Sequence, residues 1–298
     1  YIGKMNTKKQ LILKTISKKL TKKEFFFEKD PEKFIETFSK SISLNMNNGE
    51  NLKNPVSAPI KIIDLFCGCG GTSAGFLLLN NLFPIFKIVS AWDVDSDACS
   101  TYSQLGFNPT CGDIRKILKN KSILEEIKSK INDNSPSILI GCPPCQGFSA
   151  HTNVNRNSEE DERNGLVEEF SKIAIKLEPD YIFMENVPEL LSKKYGDHFT
   201  FFKRKLESKG YSVKSSVINM AKFGLPQARK RAIIFASKES VTLPEPILDE
   251  ENFVTVRHAI SHLPKIKSGI KNTSDPLHVT AAHKKSTLDV IRSVSKNG

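Results

Sequence analysis

The chain has 298 residues and a formal net charge of +11 at pH 7. That length suits one large catalytic domain with extensions, and no apolar run approaches the 18 residues that a membrane-spanning helix needs. The positive excess suits a polyanionic partner such as nucleic acid, although a lysine-rich coding bias accounts for it equally well. The six cysteines stand at 67, 69, 99, 111, 142 and 145, mostly at the ends of expected strands. With no signal peptide apparent, they read as thiols of a reducing, cytoplasmic compartment rather than a disulfide framework.

Residues 1–59 hold twelve lysines against six acids, which is +6 of the net charge. Leu11, Leu13, Ile16 and Leu20 fall near helical spacing, so 8–41 reads as a helical arm and 45–59 as a linker. An apolar strand at 61–66 then runs into the turn Cys67-Gly-Cys-Gly-Gly-Thr72 and a helix over 73–80. Strand, glycine turn and helix start make a nucleotide-type corner, with Thr72 or Ser73 as a candidate helix cap. The spacing fits neither the dinucleotide fingerprint nor a P-loop. A second strand, 87–92, ends at Asp93 ahead of a helix over 96–105. Asp93 is placed either to accept ribose hydroxyls or to join Asp95, Ser96 and Asp97 in a capping cluster. Asp113 and Ile114 form the next turn, before a helix over 117–131.

The strand 137–141 leads into Ile140-Gly-Cys-Pro-Pro-Cys-Gln-Gly-Phe-Ser149. Proline cannot donate to a ladder, so Pro143 and Pro144 end the strand. Cys145 then sits in a rigid turn at the strand's carboxyl end, a good position for a nucleophile. A polar loop over 149–164 precedes a helix at 165–176. The strand 180–185 delivers Glu185 to the same edge, followed by a helix at 199–208 and strands at 213–219 and 231–236. Arg229 and Arg231 would share one side of an extended segment, unless they form only a solvated basic edge. The alternation predicts an α/β fold, a doubly wound, mostly parallel sheet with its site along the carboxyl edges.

From about Ile60 to Arg231, and more loosely onward to Gly298, the chain resembles the cytosine-C5 DNA methyltransferase family. The matching blocks are Asp64-Leu-Phe66-x-Gly68-x-Gly70-Gly71, Pro143-Pro-Cys-Gln146, Glu185-Asn-Val187 and Gln227-x-Arg229-x-Arg231, with Asp161-x-Arg163-Asn164-x-Leu166 as a fifth. The resemblance implies the S-adenosylmethionine-dependent methyltransferase fold, double-stranded DNA as partner and a flipped cytosine as methyl acceptor. Cys145 would add to C6, Glu185 would contact N3 and the exocyclic amine, Arg231 would hold O2, and Arg229 would lie near the nucleophile. It likewise implies cofactor contacts from Phe66, Gly68, Gly70, Gly71, Asp93, Val94, Asp113, Ile114, Pro144 and Leu166. Trp92 reads instead as core. An RNA cytosine-C5 methyltransferase and a non-catalytic subunit of a split enzyme are the alternatives. Gln146-Gly-Phe-Ser149 favours the DNA branch, and intact Cys145, Glu185 and Arg231 favour an enzyme.

Three departures stand out. Asp93 occupies the place of the family's usual Glu, with a shorter reach. Cys142 replaces a usual Gly and makes a Cys-x-x-Cys spacing with Cys145, yet two intervening prolines and the lack of a second pair argue against a metal site. After Arg231 neither a target-recognition region nor the final helix is recognisable. The expected organisation is therefore a basic arm at 1–59, a catalytic domain at 60–260 and a lead-in at 261–298. The recognition region would come from a C-terminal segment of a longer chain or from a second subunit. A restriction-modification setting, nucleoid-associated in a prokaryote, follows by family analogy.

Overall fold

The computed structural model describes residues 59–80, 85–144, 159–192, 196–239, 241–270 and 278–294, with 159–164 described by backbone alone. The proposed N-terminal arm, Cys145 and the loop through 158 lie outside the described residues. The chain divides into two compact units between Val254 and Thr255.

In the first unit, β1 (Ile60–Leu65), β2 (Phe86–Asp93), β3 (Thr110–Cys111), β4 (Ser137–Gly141), β5 (Tyr181–Asn186), β6 (Ser212–Asn219) and β7 (Lys230–Ser237) form one sheet. Its order is β3-β2-β1-β4-β5-β7-β6. Neighbours from β3 through β5 are parallel, and β7 runs antiparallel to both β5 and β6. The chain leaves β1 toward β2 and later returns to β1's other side as β4. The carboxyl ends of β1 and β4 therefore flank the switch point, where open α/β sheets bind their ligands. The Cys142 N–H donating to the Leu65 carbonyl at 3.4 Å marks that junction.

Period-two alternation sorts the strand residues onto two apolar faces. Ile63, Leu65, Leu139, Ile182 and Met184 pack with Ile117 of α3 (Arg115–Lys119), Ile127 of α4 (Lys121–Ile131), Phe170 of α5 (Glu159–Leu177) and Phe202 of α6 (Gly196–Glu207). Ile62, Ile88 and Ile140 pack on the other face, with Phe76 of α1 (Gly71–Leu79) and Tyr102 of α2 (Ser96–Ser103). Trp92 is core, 5% exposed.

Several local details differ from the sequence reading. The expected helix at 117–131 is two helices, because the Asn120 side chain accepts from the Ser122 and Ile123 amides and starts a new helix with its own backbone extended. Helix α5 begins at Glu159, so the end of the expected loop is helical. Neither Thr72 nor Ser73 caps α1: the cap is Gly70, in a left-handed conformation with no side-chain bond.

The second unit contains α7 (Val256–Ile260) and α8 (Lys285–Ser293). Thr255 and His258 form a reciprocal capping box on α7. Between the helices, Thr280 Oγ1 donates to the Lys267 carbonyl at 2.8 Å and Ser268 Oγ accepts from the His283 amide at 2.9 Å.

Candidate active site

The first group of predicted residues meets at the carboxyl ends of β1 and β2. Phe66 takes a positive φ of 59°, uncommon for a non-glycine residue, and turns the chain out of β1. Gly68 follows at φ 51°, and its amide donates to Asp93 Oδ2 at 2.7 Å. The other carboxylate oxygen of Asp93 accepts from the Asp95 amide at 3.0 Å, and the Asp93 carbonyl accepts from the Gly112 amide at 2.7 Å. One residue thus stitches together the turns after β1, β2 and β3. The helix cap belongs to Asp95, whose side chain accepts from the Asp97 and Ala98 amides. Val94, 74% exposed, projects beside Asp93.

The turn is open on one side and closed on the other. A Cβ added at Gly68 or Gly71 would meet nothing within 4 Å, so the backbone there can receive a ligand. A Cβ at Gly70 would lie 2.5 Å from Leu105 Cδ1. Asp113 accepts from the Arg115 amide and from its Nε, and this guanidinium holds the carboxyl below its ordinary range. Ile114 buries its side chain in the core at 3% exposure, which leaves its backbone for any cofactor contact. Leu166 on α5 packs, partly buried, against the same core.

The second group lies at the adjoining ends of β4, β5 and β7. Glu185 and Arg231 form an ion pair, Nε to Oε1 at 2.7 Å, with side chains 30% and 20% exposed. The antiparallel register of β5 and β7, Glu185 opposite Ile233, brings Arg231 to the same edge. Arg229 precedes β7 and is exposed, so its environment differs from that of Arg231. Pro144 is half-buried, and the Pro143 carbonyl accepts from Asn186 Nδ2 at 3.0 Å. Asn186, 2% exposed, therefore pins the Pro-Pro turn from beneath. Sequence reasoning did not find that role; an amide delivered to the end of a buried strand, where it must be satisfied, was the available signal.

Cys142 links the two groups. Its sulfur lies 3.9 Å from Thr72 Oγ1, and its thiol is pushed up to about 12 by burial and then by the charges of Glu185 and Asp64. Thr72 and Ser73, read as caps, instead face Cys142 and Asp64. Among the described residues all five cysteines are free thiols.

A glycine turn, an acid after the second strand and a polar cluster at the switch point define a fold of the S-adenosylmethionine-dependent methyltransferase type. In agreement, the crystal structure of a prophage-encoded E. coli protein, described as a DNA modification methyltransferase, aligns with a TM-score of 0.52 at 26% identity, covering 70% of this chain and 56% of that one. The family model for C-5 cytosine-specific DNA methylases matches residues 60–295. The Type II methylase M.HgiDII of Herpetosiphon aurantiacus is 35% identical over 74% of this chain and 59% of its own length. The Type II methyltransferase M1.HphI of Haemophilus parahaemolyticus is 32% identical over 79% of this chain and 61% of its own. The chain belongs to the C-5 cytosine-specific DNA methylase family. It spans about three fifths of the length of these curated relatives.

Proposed function

We propose that this chain is the catalytic part of a DNA cytosine-C5 methyltransferase acting on a cytosine turned out of double-stranded DNA. The observation that carries this reading is the Glu185–Arg231 pair on the same strand edge as the glycine turn. A ring-binding acid and a guanidinium stand beside a cofactor-type corner, with the Pro-Pro turn that leads to Cys145 tied to Asn186 between them.

Cytosine C5 is too weak a nucleophile to take a methyl group unaided. Cys145 adds to C6 as a thiolate, which breaks the ring's aromaticity and makes C5 nucleophilic. Glu185 holds N3 and the exocyclic amine while charge arrives on the ring, and Arg231 holds O2. The ion pair keeps these two groups oriented before the base arrives. S-adenosylmethionine, when bound, supplies the electrophilic methyl group. The open faces at Gly68 and Gly71, the Asp93 carboxylate and exposed Val94 fit it, with Phe66, Asp113, the Ile114 backbone, Pro144 and Leu166 around them. Loss of the C5 proton to a base or water then lets the bond from Cys145 to C6 break. The target carbon is unreachable within a duplex, so the base must leave the stack. The Type II names of the relatives support a restriction-modification setting.

The test uses the protein with duplex DNA containing 5-fluorocytosine. Because fluorine cannot leave as a proton does, wild type should form a denaturation-resistant adduct in the presence of S-adenosylmethionine. Cys145→Ser should form none while still binding S-adenosylhomocysteine. Ordinary methylation by Cys145→Ser would refute the assignment, and transfer to RNA but not DNA would refute the substrate.

A further inference from the structure

Beneath the glycine turn, three buried side chains from three elements form a continuous polar chain. The Tyr102 hydroxyl of α2 donates to Ser73 Oγ at 2.7 Å. Ser73, in the first turn of α1, donates to Asp64 Oδ2 of β1 at 2.6 Å. None of the three is more than 1% exposed. A serine hydroxyl has one proton, and here Asp64 takes it, so the tyrosine must be the donor to Ser73. Ser73 cannot move without breaking both bonds inside the protein, where an unmade polar contact costs most.

The ring of Tyr102 acts on the turn as well. A Cβ at Gly70 would come within 2.9 Å of Tyr102 Cδ2, so the ring occupies the space a side chain at position 70 would take. Gly70 itself sits at φ 90°, with its amide donating to the Cys67 carbonyl and its carbonyl accepting from the Ala74 amide. The turn is thus fixed at its base by Ser73 and on its closed side by the Tyr102 ring, while its other side stays open at Gly68 and Gly71. A phenylalanine at 102 would fill the same volume. The hydroxyl adds only the tie to Ser73, at the cost of burying a further polar group.

We propose that Tyr102 is a positioning residue for the cofactor site: acting through Ser73, it holds the backbone of residues 67–71 in the form that receives S-adenosylmethionine. This rests on the methyltransferase reading. Tyr102 has no contact with the cofactor in it.

Titration calorimetry with S-adenosylhomocysteine tests the idea without DNA or turnover. The proteins are wild type, Tyr102→Phe, Ser73→Ala, the double variant, and Ile117→Val, a buried substitution on the sheet's other face that lowers stability comparably. Tyr102→Phe should weaken binding about tenfold. It should raise KM for S-adenosylmethionine by a similar factor while kcat at saturation stays within about twofold. The double variant should bind no more weakly than Ser73→Ala alone, since the tyrosine acts through the serine. Ile117→Val should lower Tm and leave the affinity unchanged. Tyr102→Phe with a lowered Tm but wild-type affinity would overturn the inference, as would additive effects in the double variant. A wild-type protein that binds no S-adenosylhomocysteine would overturn the functional reading itself, and this inference with it.

Discussion

One residue, Val94, separates Asp93 from Asp95, and the structure divides the acidic cluster between them. Asp95 caps α2, whereas Asp93 accepts from Gly68 in the glycine turn. Asp93→Ala should therefore weaken S-adenosylmethionine binding by roughly 1.5–3 kcal/mol, the range for hydrogen bonds to a charged group. Asp95→Ala should cost about 1 kcal/mol of stability and leave cofactor affinity intact. Calorimetry and denaturant unfolding on both variants separate the roles, and a reversed pattern would show that the ribose carboxylate has been misassigned. The same scale distinguishes the two cysteines of the Pro-Pro turn. Cys142 is held protonated at neutral pH by burial and by the neighbouring carboxylates of Glu185 and Asp64. A thiol is a poor nucleophile in that form, which supports the proposal that Cys145 carries the chemistry.

At the scale of elements, α5 lies against β4 at a glycine. A Cβ at Gly141 would fall 2.3–2.8 Å from three atoms of the fully buried Phe170 ring. Gly141→Ala should destabilise the protein by about 2 kcal/mol through overpacking and push the Pro-Pro turn off its Asn186 anchor. Adding Phe170→Leu should recover part of that loss, and a double variant no more stable than Gly141→Ala would place the strain elsewhere. None of this contact could be read from the chain, because it joins residues 29 positions apart whose local patterns are each ordinary. Periodicity carried the elements themselves: apolar runs gave six strands close to their observed bounds, and β3 escaped because two exposed residues make no pattern. Asn120 was equally invisible, since 117–131 keeps a helical apolar spacing across the break. In the site, strand-end residues such as Glu185 were legible from the apolar runs that deliver them. The partners of Ser73 and Asn186 were not, because a hydroxyl or amide names the bond it needs but not the residue that supplies it.

At the largest scale, the sheet packs apolar residues on two faces, and Asp64 of β1 is its one buried carboxylate among the described residues. It is 1% exposed, and among the described residues no cation pairs with it. The groups facing it are Ser73 and Tyr102 from α1 and α2, Asp93 from β2, and the thiols of Cys67 and Cys142. Burial, then the Asp93 charge, raise its carboxyl to about 7 against the lowering effect of Ser73. The folded chain thus keeps this proton over a range in which the unfolded chain has lost it. Where the native state binds more protons, stability falls as pH rises. The Asp64 contribution is therefore complete below about pH 4, declines through pH 4–7, and has lost on the order of 4 kcal/mol above that. Asp113, Asp133 and Glu178 have lowered values and act oppositely. Their stabilisation is present above the ordinary carboxylate range and lost only as pH falls through it, so the windows barely overlap. Asp64→Asn isolates the effect, since an amide oxygen still accepts from Ser73 and no proton titrates. The unfolding free energy of wild type minus that of Asp64→Asn should decrease steadily from pH 4.5 to 7 and then level. A difference that stays flat across that range would mean that Asp64 is ionised throughout, and that solvent or a residue outside the described ones already balances its charge.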